Sequence, residues 1–110
     1  LINYGYVDFP EPDAATLGGI TPWMQVAKIA QSKGLPVTSH GIHDIHVHLL
    51  AGSPNASYLE VHGFGLERFI ERRVELNKGK AIAPDTPGHG IKLDLVKLRA
   101  YRESTYSSLT

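Results

Sequence analysis

The 110-residue chain contains no cysteine. Disulfides and thiolate metal sites are therefore excluded, and a reducing, cytoplasmic setting is the expected one. The chain also lacks net charge, because eleven basic side chains balance eleven acidic ones. Nothing in that balance points to nucleic acid or an anionic membrane as a partner. Arg68, Arg72 and Arg73 come nearest to a basic patch, but Glu67, Glu71 and Glu75 interleave with them, as on a solvated face. No apolar run approaches the roughly 20 residues needed to span a bilayer, and no signal peptide is visible. Asn55-Ala56-Ser57 matches a glycosylation triplet, which without a secretory signal reads as chance. The chain opens with Leu1 instead of Met, so a processed, truncated or excerpted polypeptide is expected. The length has room for one domain.

What the sequence does have is short apolar runs alternating with helical stripes. Leu35 to Ser39 and Ser57 to Val61 read as buried strands. Tyr6 to Phe9 is a weaker third, cut short by Pro10 and Pro12. Between the first segment and the second, Thr21 is the expected cap of a helix with Pro22 at its first position. Trp23, Val26, Ala27 and Ala30 fall on one face of it, and Gly34 ends it. A second helix is expected from about Ile42 to Ala51, with Ile42, Ile45, His46, Leu49 and Leu50 sharing a face. The resulting order of strand, helix, strand, helix, strand favours an α/β fold with parallel strands and right-handed crossovers. Beyond Glu60 the texture changes. Val74 to Leu76, Asn77-Lys78-Gly79 and Lys80 to Ala83 read as a β-hairpin. Asp94 is the expected cap of a short terminal helix bearing Leu95, Leu98 and Tyr101, before a polar tail from Ser104 to Thr110.

In an α/β barrel, functional side chains stand at the C-terminal ends of the strands. Asp13 follows the first strand, His40 ends the second and Glu60 ends the third. Histidine exchanges protons near neutrality. A carboxylate on its other ring nitrogen fixes the tautomer and raises the basicity, and Asp13 is placed to be that carboxylate. Glu60, if protonated, could donate a hydrogen bond to a developing oxyanion. A plainer account fits the same residues: Asp13 as a turn residue, His40 as a satisfied core histidine, Glu60 as a surface acid. The run from His40 to His48 holds four histidines in nine residues, which suggests zinc. The spacing argues against it, because His43 and His46 could share a face but His48 could not join them, and no HExxH pattern occurs. His46 falls on the apolar face, where packing is the commoner role. His62 and His89 lie in glycine-containing loops; either could touch a ligand, although for His89 a plain loop role is the commoner expectation.

Several motifs carry a resemblance. Pro12-Asp13-Ala14-Ala15-Thr16-Leu17-Gly18-Gly19-Ile20-Thr21 resembles the Pro-Asp and Gly-Gly-Ile-Thr segment of mandelate-racemase-like enzymes of the enolase superfamily. Gly34 to His40 is similar to that family's seventh strand with its terminal Ser-His. His48 to Ala51 and Tyr58 to Glu60 resemble its seventh helix and eighth strand, and Pro87-Gly88-His89-Gly90 its C-terminal turn. The intervals from Asp13 to His40 and from His40 to Glu60 agree as well.

The resemblance implies the C-terminal part of a modified TIM barrel, incomplete in this chain. Residues 1–66 would be the last βα units, and residues 67–110 a closing segment of hairpin and short helix that packs on a capping domain. It implies abstraction of the proton α to a carboxylate, with His40 as general base, Asp13 as its partner and Glu60 toward the substrate carboxylate; His62, from its own loop position, is taken as a further substrate contact. Mg²⁺ would stabilise the enediolate in the full-length parent. The metal-binding carboxylates and the opposing Lys-x-Lys base are expected upstream of this chain, so it should bind no metal and turn over no substrate alone. The expected ligand is a small-molecule carboxylate, and the expected parent is a homo-oligomer. The favoured activity is a sugar-acid dehydratase, since His43 and His62 give polar surroundings suited to a hydroxylated substrate. The alternatives are a 2-hydroxy-acid racemase or epimerase and a non-catalytic standalone fragment.

Overall fold

Residues 1–61 and 66–103 are described in the computed structural model. Helix α1 covers Ile20–Ser32 and buries Trp23, Ala27 and Ala30, the stripe that the apolar spacing predicts. Its cap differs from expectation. Gly19, not Thr21, is the N-cap, with φ 112°, and Pro22 falls two residues inside the helix. Pro22 is still in the first turn, where an N–H has no partner to lose. The other end is a Schellman motif: the Leu35 N–H reaches Ala30 O and the Gly34 N–H reaches Gln31 O, each at 3.0 Å. Gly34 supplies the left-handed residue at φ +69° that this requires.

Helix α2, His43–Ala51, buries His43, Asp44, His46, Val47, Leu49 and Leu50. It is covered on nearly every side, and not on the single face that the sequence pattern suggests. Leu49 and Leu50 join Ala14, Trp23, Ala27 and Val37 in the core, with Met24, Ile45 and Leu59 packed against it. Val47 turns the other way, toward a cleft of about 560 Å³ that Leu76 and residues 79–81 also line.

Three extended segments lie side by side in chain order, around residues 10–12, 37–40 and 55–57. Val37 and Ala56 form a parallel bridge: the Val37 N–H donates to Asn55 O and the Ser57 N–H to Val37 O, both at 2.8 Å. On the other side, the Thr38 N–H donates to Pro10 O at 3.0 Å and the His40 N–H to Pro12 O at 3.3 Å. That ladder runs one way only. In a parallel pair the return donors would be the N–H groups of residues 10 and 12, and proline has none. Asn55 ties the third segment to the rest, its side-chain amide donating to Ala27 O at 3.1 Å and Leu35 O at 3.0 Å.

After the undescribed stretch, strands β1 (Glu75–Asn77) and β2 (Lys80–Ile82) pair antiparallel with Asn77 opposite Lys80. Lys78 and Gly79 both have positive φ, 50° and 76°, which is the two-residue turn whose twist suits a hairpin. Ile70, 1% exposed, pairs with Leu93. The Asp94 side chain caps helix α3, Leu95–Leu98, accepting from the Val96 and Lys97 N–H groups. Lys97 holds that carboxylate at 2.9 Å and, with the backbone donors, keeps its pKa below the ordinary aspartate value. Leu95, Val96 and Tyr101 remain exposed. Among the described residues no helix is long and apolar enough to cross a membrane.

Candidate active site

Asp13 lies directly after the first extended segment, and its backbone is held from both sides. The preceding carbonyl, Pro12 O, accepts the Trp23 Nε1–H at 2.8 Å. The following N–H, on Ala14, donates to His46 Nε2 at 2.9 Å. The Asp13 carbonyl accepts from Leu17 N–H at 2.9 Å. Its side chain folds back so that Oδ1 accepts the Ala15 N–H at 2.8 Å, a local turn that aspartate favours. That leaves Oδ2 facing His40 Nδ1 at 3.6 Å.

His40 ends the second segment and is half exposed, while Asp13 is 10% exposed. The separation is longer than a hydrogen bond and within the range of an ion pair. It also orients the ring. Nδ1 is the ring nitrogen turned to the carboxylate. Glu60 stands on the third segment. Its N–H donates to the hydroxyl of buried Ser39 at 3.2 Å, and its Oε2 accepts the Gly41 N–H at 2.8 Å. Acid, imidazole and acid from three neighbouring segments thus meet at one end.

Sequence reasoning missed two residues that hold this arrangement. Gly41 adopts φ +91°, and a Cβ there would lie 2.8 Å from Asp13 Oδ2. Glycine lets the carboxylate lie against the backbone, while its N–H steadies Glu60. The only signal in the sequence is a glycine directly after His40. His46 is the other. It is 1% exposed and its Nδ1 lies 2.7 Å from Ile42 O. Burial holds its pKa below the usual histidine value, against the opposing pull of the Ile42 hydrogen bond and the Asp13 charge.

The remaining histidines separate. His43 is buried beside Asp44 (3.6 Å) and Glu67 (3.7 Å), so it does not furnish the polar rim expected of it. His48 Nε2 donates to His89 O at 3.0 Å, and His89 Nδ1 accepts the Ile91 N–H at 3.0 Å. These contacts pin the Pro87–Gly90 turn to α2. His62 lies outside the described residues. Among the described residues no group of three His, Asp or Glu side chains could hold a metal ion. Asp13 Oδ1 is engaged with Ala15 and Glu60 Oε2 with Gly41, so among the described residues no set of carboxylates is arranged for Mg²⁺.

Parallel segment ends that carry a His-Asp pair and a further acid, with helices between the segments, are the arrangement of consecutive β/α units. The chain belongs to the enolase C-terminal domain-like family, whose sequence model matches residues 1–97. It is 41% identical over 97 residues to the 3,6-anhydro-alpha-L-galactonate cycloisomerase of Streptomyces coelicolor, covering 88% of this chain and 27% of that protein. It is 33% identical over 86 residues to the L-talarate/galactarate dehydratase of Salmonella typhimurium, covering 78% of this chain and 21% of that one. The crystal structure of L-talarate dehydratase from Polaromonas sp. JS666, complexed with Mg and L-glucarate, superposes with a TM-score of 0.84 at 35% identity, covering 94% of this chain and 27% of that one. The chain therefore spans about a quarter of the length of the relatives it matches.

Proposed function

We propose that this chain is the last part of an enolase-type barrel within a longer enzyme, and that His40 exchanges the proton α to the carboxylate of a sugar acid. The whole protein is then a dehydratase, in line with relatives that act on talarate and galactarate. The observation that carries the reading is Asp13 Oδ2 lying 3.6 Å from His40 Nδ1 across adjacent strand ends. Asp13 stabilises the imidazolium formed when Nε2 takes the proton, and keeps the ring in the tautomer that can take it. Returned to the β-hydroxyl, that proton lets water depart. The resulting enol, with its hydroxyl on the α carbon, becomes a 2-keto acid. Glu60, steadied by Ser39 and Gly41, would hold the substrate carboxylate in this reading, and His62, two residues on in sequence, is the second substrate contact proposed.

Mg²⁺ would supply charge stabilisation of the enediolate in the whole protein. It would be held by carboxylates outside this chain. The incomplete-barrel reading is supported by uncovered apolar side chains along the strands: Phe9 is 50% exposed, Tyr58 71% and Val61 52%. Residues 1–66 form the barrel part of the reading, and residues 67–110 the closing segment.

The test is proton exchange. In the intact polypeptide with Mg²⁺, His40→Asn should slow exchange of the substrate α-proton into D₂O by about 10²–10⁴-fold, the usual worth of a general base. A panel of aldonates and aldarates, read by NMR, reports both exchange and 2-keto product. Exchange unchanged by the substitution would remove His40 from the chemistry. Exchange with inverted substrate and no 2-keto acid would identify an epimerase.

A further inference from the structure

We propose that His46 is a positioning residue for the Asp13–His40 pair, acting as a neutral imidazole whose Nε2 lone pair holds the Ala14 N–H and so fixes the turn from which Asp13 projects. The inference rests on the functional reading above only for its kinetic consequence. The geometry stands without it.

Both nitrogens of His46 have forced roles. A backbone N–H can only donate, so Nε2, 2.9 Å from Ala14 N, carries no proton. A carbonyl oxygen can only accept, so Nδ1, 2.7 Å from Ile42 O, carries one. Asp13 Oδ1, 3.7 Å from Nε2, is therefore a neighbour of a lone pair and not an ion-pair partner. The Ile42 carbonyl also accepts the His46 backbone N–H at 3.1 Å, so one oxygen anchors both the first turn of α2 and the ring. The ring lies against Trp23, with centroids 6.2 Å apart.

The arrangement is a clamp. Trp23, from α1, grips the carbonyl before Asp13, and His46, from α2, grips the N–H after it. The two helices thereby dictate where the carboxylate emerges at the strand end, though neither ring hydrogen-bonds to it. A cationic imidazole would break the clamp, because a protonated Nε2 cannot accept from Ala14. Burial and the facing His40 disfavour that cation, while Asp13 and Glu60 favour it. The balance lies on the neutral side, as the clamp requires.

The experiment uses the intact polypeptide with Mg²⁺ and the sugar acid that it turns over. His46→Phe keeps the packing and removes both hydrogen bonds. It should slow exchange of the substrate α-proton, because the carboxylate facing the His40 ring is no longer held there. It should lower kcat roughly 10–100-fold, with little change in KM. His46→Gln restores an acceptor for Ala14 and should recover part of both effects. A folded His46→Phe protein with wild-type kcat and wild-type α-proton exchange overturns the proposal. Should that variant not fold, the ¹⁵N shifts of His46 in the unsubstituted protein decide: an Nδ1–H tautomer persisting from pH 6 to 8 supports the clamp, and an Nε2–H tautomer or imidazolium overturns it. If His40→Asn leaves exchange unchanged, the functional reading fails while the tautomer result stands by itself.

Discussion

Replacing Gly41 with alanine tests the site at the point where backbone and chemistry touch. The new methyl would lie 2.8 Å from Asp13 Oδ2, 2.9 Å from its Cγ and 3.1 Å from Oδ1. Ordinary van der Waals contact begins near 3.4 Å, so the carboxylate must retreat by about 0.6 Å or the loop must move. Retreat is resisted, because Oδ1 is bonded to the Ala15 N–H and the flanking backbone is held by Trp23 and His46. At φ +91° an L-residue adds about 1–2 kcal/mol of backbone strain. We expect a loss of about 2–3 kcal/mol in stability once the crowding is included. We also expect about a 10²-fold fall in α-proton exchange, the usual effect of misplacing a catalytic group by a large fraction of an ångström. The assay pairs urea unfolding of the intact protein with NMR exchange in D₂O. A Gly41→Ala protein with unchanged midpoint and exchange rate would refute the close packing of residue 41 against Asp13.

Three further outcomes follow from the same contacts. Trp23→Phe keeps most of the core packing but strips the Nε1–H from Pro12 O. It should cost about 1–2 kcal/mol in chemical denaturation and slow exchange more than an equally destabilising change elsewhere in α1. Asn55→Ala leaves Ala27 O and Leu35 O without their side-chain donor, and a loss of about 2 kcal/mol by the same measurement is expected. The depressed His46 pKa has a definite sign in pH titration. The unfolded chain takes up the proton near pH 6.5 and the folded one only lower, so stability should be full above that pH and fall as pH drops through the window between. Melting curves from pH 8 to 5 should show that slope, and His46→Gln should flatten it.

The Trp23 stripe and the Gly34 stop were legible because each rests on a local rule of periodicity or capping. So was the meeting of Asp13, His40 and Glu60 at one end, since strand-end positions in a parallel array share a rim. Of the two runs read as buried strands, residues 35–39 contribute one bridge residue, Val37, and residues 57–61 form no strand and leave Tyr58 and Val61 exposed, because nothing in the described chain covers that side. What escaped was carried by backbone atoms and by distant parts of the chain. The one-way ladder at Pro10 and Pro12 leaves little strand pattern to read. The second buried face of α2 becomes visible only once Leu76 and residues 79–81 lie beside Val47. Gly19 displaced Thr21 as the cap because the helix begins two residues earlier than its hydroxyl suggests. Gly41 and His46 act on the Asp13 carboxylate and the Ala14 N–H, and no spacing rule names such partners.

Because the aspartate is steadied through the main chain on either side, identity at residues 12 and 14 matters less to the chemistry than identity at residues 23 and 46. The information that locates the Asp13 carboxylate is thus stored on two helices some distance away along the chain. Under the proposed function, rim residues facing substrate can drift to suit new ligands while the Asp13–His40 geometry stays put, and a saturation mutagenesis map should show its least tolerant positions inside the helices, behind the site.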